Sequence, residues 1–406
     1  MRRKFRKSVL AGLLGFILTS LAPGETGNLG RLTYHPWVRG PSPQPGQHLM
    51  EIPSALVSED GRKIESAEDW DVLRRPELVR VWTRILGKLS PAPEDRRWFG
   101  DITKTQVYSR QERDGYTRIH LGLAMEVDFY QDHLLLMPTN QGSGPFPAVI
   151  AWAATSSDYD APEQWWGSYL ARRGFVVLTS QSFIKKYREG RSFRNGVHET
   201  LYSRFGHWLP MGKMVHDVSR EVEYLSSLPE VDADRIGFMG FSLSAKAAIY
   251  AAALVPEIKA TVSFDPGVAL NGRTNWFKHW YLDWLKRFPG IRTHDYPIHD
   301  LRGTVLSLLN PDVGRPGLER NHHELMAMCA PRAFMLIGGR MADLHNEGYC
   351  NRAAEVYEFL GVRERYEYVP TPDGHSANGP HIDPAWQRFL HKWLVETPID
   401  FAGYER

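Results

Sequence analysis

The sequence predicts an α/β protein: a mostly parallel, doubly wound sheet, preceded by antiparallel strands and a helical N-terminal extension. Three observations carry this. Strand-like runs at 104–108 and 116–123 flank Asp114-Gly115, a hairpin-turn dipeptide. Beyond residue 146 the pattern switches to continuous apolar runs separated by amphipathic helical segments, as strands buried on both faces should be. Finally, the apolar run 236–239 leads into Gly240-Phe241-Ser242-Leu243-Ser244 and then an alanine-rich stretch with helix-forming composition, so that strand, sharp turn and helix follow one another. Antiparallel strands followed by alternating βα units imply a parallel sheet covered on both sides.

In order, the chain opens with Arg2, Arg3, Lys4, Arg6 and Lys7, then an apolar, uncharged stretch over 8–22 ending near Pro23-Gly24. This reads as a signal peptide over 1–23, and Arg2-Arg3-Lys4-Phe5-Arg6-Lys7 matches the twin-arginine type. The expected location is periplasmic or secreted; an uncleaved signal acting as a membrane anchor is the alternative. Residues 24–100 form an extension packed on a catalytic domain spanning 101–406. Within it, 67–89 is helical, with Trp70, Leu73, Leu78, Val81, Trp82 and Leu86 as buried positions, closed by Pro91 and Pro93. Further strands fall at 133–137, 147–151, 174–178, 236–239, 258–264, 333–337 and 365–369. Helices fall at 215–228, stopped by Pro229, near 352–360, and around Trp386, Phe389, Leu390, Trp393 and Leu394. The stretch 271–310 breaks the alternation and is aromatic, with Trp276, Phe277, Trp280, Tyr281 and Trp284.

Composition is that of a folded globular chain: 406 residues, 42% hydrophobic, 24% charged. A formal net charge of +2 gives no reason for a nucleic-acid partner. Thirteen tryptophans are many; most belong to the core, and exposed ones suit sugar rings or acyl groups. The two cysteines, Cys329 and Cys350, flank one strand and could pair or stay as thiols. No Cys/His spacing resembles a zinc site, so neither metal nor cofactor is expected. The oligomeric state is open.

Small residues two before and two after Ser242 are what a nucleophile elbow needs, because strand and helix nearly touch there; Gly240 supplies the first and Ser244 stands in place of the usual second glycine. An activated serine needs a base and an acid, expected downstream in the order acid, then histidine, on loops after strand ends. Asp343, after Gly338-Gly339-Arg340-Met341-Ala342, and His375, after Thr371-Pro372-Asp373-Gly374, satisfy that order. Asp265, after an earlier strand, competes with Asp343; His381 competes less well with His375. His345 and Glu347 read as surface or substrate-facing groups, and Ser244 as a packing residue. The oxyanion donors are the backbone N–H of Leu243 and one from the loop after residue 151, placed at Ala154. Trp276 and Trp280 are candidate substrate-binding residues.

These residues resemble an α/β-hydrolase of the dienelactone hydrolase-like group, close to acetyl xylan esterases and glucuronoyl esterases. Trp70 followed by Arg74-Arg75-Pro76-Glu77 is similar to the lead-in helix of those esterases. Gly240-Phe241-Ser242-Leu243-Ser244-Ala245-Lys246 is similar to the glucuronoyl esterase elbow Gly-x-Ser-Arg-x-Gly-Lys, and His323-Glu324-Leu325 through Ala330-Pro331-Arg332 to the segment before their acid-bearing strand. Lys246 matches and is implied to bind substrate; Leu243 replaces the arginine and Ala245 the glycine. The missing arginine argues against a uronate substrate, and a serine nucleophile argues against dienelactone hydrolysis. The resemblance implies a serine carboxylesterase acting through an acyl-enzyme on acylated carbohydrate, as an acetyl ester. A prolyl oligopeptidase-type peptidase and a non-catalytic carbohydrate-binding protein are the alternatives.

Overall fold

In a computed structural model, which describes residues 52–86, 105–126, 129–154, 157–188, 201, 209–268, 321–338 and 346–396, the Asp114-Gly115 hairpin joins β1 (Gln106–Arg113) to β2 (Tyr116–Glu126). Gly115 takes φ +83°, a turn conformation that disfavours a side chain. β2 pairs antiparallel with β3 (Phe129–Pro138), and β3 antiparallel with β5 (Val176–Ser180). Every later pairing is parallel, through β4 (Phe146–Trp152), β6 (Val231–Phe241), β7 (Ile258–Phe264), β8 (Ala333–Ile337) and β9 (Tyr366–Val369). The sheet order is β1-β2-β3-β5-β4-β6-β7-β8-β9. All of these described residues fall in the unit spanning 45–406.

β4, β5, β7 and β8 are buried along their whole length, which is why their sequences are continuous rather than alternating apolar runs. Successive residues still serve opposite faces. Ala148, Ile150 and Trp152 join a core with α1 (Arg75–Leu86), α2 (Pro210–Ser226), α3 (Leu243–Leu254), α4 (His322–Met328) and α5 (Asn346–Phe359). Val149 and Ala151 join the other, with Trp166 and Leu170 and with Trp386, Phe389 and Leu390 of α6 (Asp383–His391). α3 is buried from Leu243 to Ala253, as an alanine-rich helix without a polar face must be. Its C-terminal end is held by buried Arg332, whose guanidinium donates to the carbonyls of Val255 (3.1 Å), Ile258 (2.9 Å) and Ala252.

The N-terminal helical run starts at Ser66, whose hydroxyl accepts from the Asp69 N–H, and continues to Leu86. Trp70, Leu78, Trp82 and Leu86 are fully buried, as expected, but Leu73 is exposed and Arg74 buried. The cause is a wider turn over Trp70–Arg74. With more residues in that turn, Arg74 rather than Leu73 comes round to the inward side one turn after Trp70. There Arg74 meets Glu77 (2.5 Å) and Glu324 (3.4 Å), while the Trp82 indole donates to Glu324 at 3.0 Å. Trp82 also packs edge-on against Tyr250 of α3, so this segment buttresses the helix behind Ser242. Cys329 and Cys350 are both buried and no disulfide joins them. No described helix is long and apolar enough to cross a membrane. Residues 1–23, with the expected signal, lie outside the described residues.

Candidate active site

Between β6 and α3, Ser242 takes φ 63° and ψ −115°, a conformation a β-carbon strongly disfavours. The turn is sharp enough that a β-carbon on Gly240 would stand 2.3 Å from the carbonyl oxygen of Ser244, so only glycine fits. The turn is tied to the neighbouring strand: Ser242 N–H donates to Phe264 O at 3.0 Å. The next residue, Asp265, also has positive φ (51°). Its own N–H donates to Ile337 O at 2.7 Å, and Gly338 N–H to Val369 O at 2.9 Å. One ladder of backbone bonds thus runs across the carboxyl ends of β6, β7, β8 and β9.

His375 comes from the turn after β9. Asp373 shapes that turn, accepting from His381 Nδ1 (2.9 Å) and from the His381 N–H (3.3 Å), and these bonds hold the Asp373 carboxyl below its ordinary range. The buried Trp166 indole donates to Ala377 O at 3.1 Å. These bonds leave the His375 ring half in solvent, with Nε2 3.0 Å from Ser242 Oγ and Nδ1 bonded to Asp265 Oδ2. A carboxylate only accepts, so Nδ1 carries the proton and Nε2 is left to receive one from the serine.

The carboxylate facing His375 is therefore Asp265, where sequence order favoured Asp343. The physical reason is sheet order: β7 lies directly beside β6, and the Ser242–Phe264 bond brings the residue after Phe264 under the imidazole. Asp343 and His345 lie outside the described residues. So do Trp276 and Trp280. Glu347 is exposed, and His381 bonds Asp373 rather than the serine.

Sequence reasoning missed Gly338. At φ +115°, a β-carbon there would sit 2.9 Å from the Asp265 β-carbon, so its absence makes room for the Asp265 side chain. The signal was the Gly338-Gly339 pair straight after a buried strand. Also missed was His322, fully buried, which donates from Nδ1 to Val268 O (2.6 Å) on the Asp265 loop and accepts at Nε2 from Tyr250 (3.0 Å). Burial drives the His322 imidazole down to about 3, so it is neutral in this clamp. Leu243 opens α3, and Ala154 follows the end of β4, where Trp152 pairs with Gly240. Lys246 is buried one turn into α3. Phe241 packs on the His375 ring at 4.7 Å between centroids, and half-buried Trp165 stands edge-on to Phe241 at 5.9 Å. Among the described residues no group of three or more His, Cys, Asp or Glu could hold a metal ion.

A family model described as "Glucuronyl esterase, fungi" matches residues 131–361, more than half of the chain. The chain belongs to the glucuronyl esterase family. As a member of that family it is an enzyme, a serine hydrolase acting on carboxylic ester bonds. A 4-O-methyl-glucuronoyl methylesterase 1 from Wolfiporia cocos is 23% identical over 371 residues, covering 88% of this chain and 84% of the relative. Among solved structures, a glucuronoyl esterase from Solibacter usitatus superposes with a TM-score of 0.61 at 18% identity, covering 84% of this chain and 96% of that one. The glucuronoyl esterase catalytic domain from Hypocrea jecorina gives 0.57 at 20%, covering 85% and 89%. These two likenesses establish the shared α/β-hydrolase fold.

Proposed function

We propose that Ser242 is the nucleophile, His375 the general base and Asp265 the acid of an exported carbohydrate esterase that works through an acyl-enzyme. The observation that supports this most directly is the unbroken chain from Ser242 Oγ through His375 to Asp265. Ser242 Oγ attacks the ester carbonyl while Nε2 takes its proton. Asp265, 4% exposed, stabilises the imidazolium. The carbonyl oxygen becomes an oxyanion facing the N–H groups of Leu243 and Ala154. Collapse expels the alcohol, protonated by His375, and water then releases the acid by the same route. Export rests on the basic and apolar stretch at residues 1–23.

For the substrate, the name of the Wolfiporia cocos relative and the buried Lys246 on the elbow helix support an ester of a glucuronic acid on a polysaccharide. Leu243, apolar beside the nucleophile, favours a second reading, an acetyl ester of a neutral sugar. Parallel assays on methyl glucuronate, acetylated xylo-oligosaccharide and p-nitrophenyl acetate, with Ser242→Ala as control, test both. Turnover of the uronate ester, abolished in the variant, supports the leading reading, and turnover of the acetylated sugar alone replaces it. No turnover of any ester, with no fluorophosphonate label on wild type, would sink the esterase assignment of Ser242.

A further inference from the structure

The hydroxyl of Ser244 has a partner that a packing residue would not need. Its Oγ donates to the carbonyl of Ala153 at 2.5 Å, and both residues are 1% exposed. The Ala153 oxygen and the Ala154 N–H belong to one peptide group. That group is planar and trans, so the two point in opposite directions and fixing one fixes the other. The donor side is itself rigid. Ser244 lies in the first turn of α3, with its own carbonyl against Gly240. Upstream of the peptide, Trp152 is held by its pairing with Gly240 and by its indole bond to Glu221 Oε2 at 2.7 Å.

We propose that Ser244 is a positioning residue that aims the Ala154 N–H at the oxyanion. The inference rests on the serine esterase reading above. A glycine at this place would satisfy the elbow sterically but leave the Ala153–Ala154 peptide free to tilt about its flanking dihedrals. The hydroxyl replaces that freedom with a fixed direction, which acts mainly when the carbonyl oxygen has become an anion.

The test uses the full chain with Ser244→Ala and Ser244→Gly, both smaller than serine and so free of new clashes. Because deleting an oxyanion donor costs about 10²–10³ in kcat, misdirecting one is expected to lower kcat by about tenfold to a hundredfold. KM should change by less than about threefold. Affinity for phenylboronic acid, a tetrahedral mimic formed on the serine, should fall in parallel with kcat, while fluorophosphonate labelling of Ser242 still runs to completion. A packing role alone would lower the melting temperature and leave both kcat and boronate affinity as in wild type; that result overturns the proposal and leaves the esterase reading standing. A rise in KM with unchanged kcat overturns it too. Absence of ester turnover and of label in wild type removes both.

Discussion

Replacing His322 by glutamine removes a buried proton-binding group while offering one donor and one acceptor to Val268 O and the Tyr250 hydroxyl. An unfolded histidine titrates at about 6.5, whereas burial drives His322 down to about 3. Between those values the unfolded chain binds a proton that the folded chain refuses, so this group makes stability fall as pH falls below 6.5. At pH 5, one and a half pH units below the unfolded value, the loss is about 2 kcal/mol. The variant lacks it. Wild type does not show this term alone: His323, pushed down by burial to about 4, adds a loss of the same sign. Asp217 works the other way. It is raised to about 7 above all by burial, which outweighs the opposing pull of Lys213, with Glu126 and Glu221 adding to the rise, and it favours the fold as pH falls toward 4. Those contributions are common to both proteins and cancel in the comparison. Urea unfolding at pH 7.5 and 5.0 therefore reads the change in the gap between wild type and variant, which should shift by about 2 kcal/mol in the variant's favour on acidification. A gap that is constant across this range, or that moves the other way, refutes a neutral buried His322.

Three further outcomes are expected. Asp265→Asn should lower kcat by about 10³–10⁴, whereas Asp343→Asn should stay within about threefold of wild type, and steady-state kinetics on p-nitrophenyl acetate decides between them. Gly338→Ala forces a β-carbon to 2.9 Å from that of Asp265 at a φ of +115°; kcat should drop about tenfold or more, with a lower melting temperature, as the acid is displaced. Arg332→Met leaves the carbonyls of Val255, Ile258 and Ala252 without their buried donor and should cost about 3 kcal/mol in urea unfolding without altering KM.

The strands and helices were legible because each carries its own period, and the buried parallel strands declare themselves by lacking one. That Ser242 and His375 come together was legible for a related reason: each follows the end of a strand, and strand ends can be read locally. Asp265 against Asp343 could not be settled that way. Both follow strands, and the choice depends on which strand lies beside β6, a property of the sheet rather than of either segment. Leu73 misled because the wider turn over Trp70–Arg74 faces Arg74 inward in its place, and nothing in the composition marks that turn. Ser244 was visible as a small residue, but its hydroxyl acquires a role only once β4 is laid against β6.

The three members of the site are not held equally. Ser242 and Asp265 are anchored by amides that complete the sheet, whereas His375 rides on an exposed turn tied down by Asp373, His381 and one indole bond. The first two can be lost only when the central strands part; His375 can leave by itself. Amide hydrogen exchange should accordingly be slow at Ser242 and Asp265 and fast across 374–380. On warming, catalysis should fade before the fold does and return on cooling, so that working temperature and melting temperature are set by different parts of the molecule.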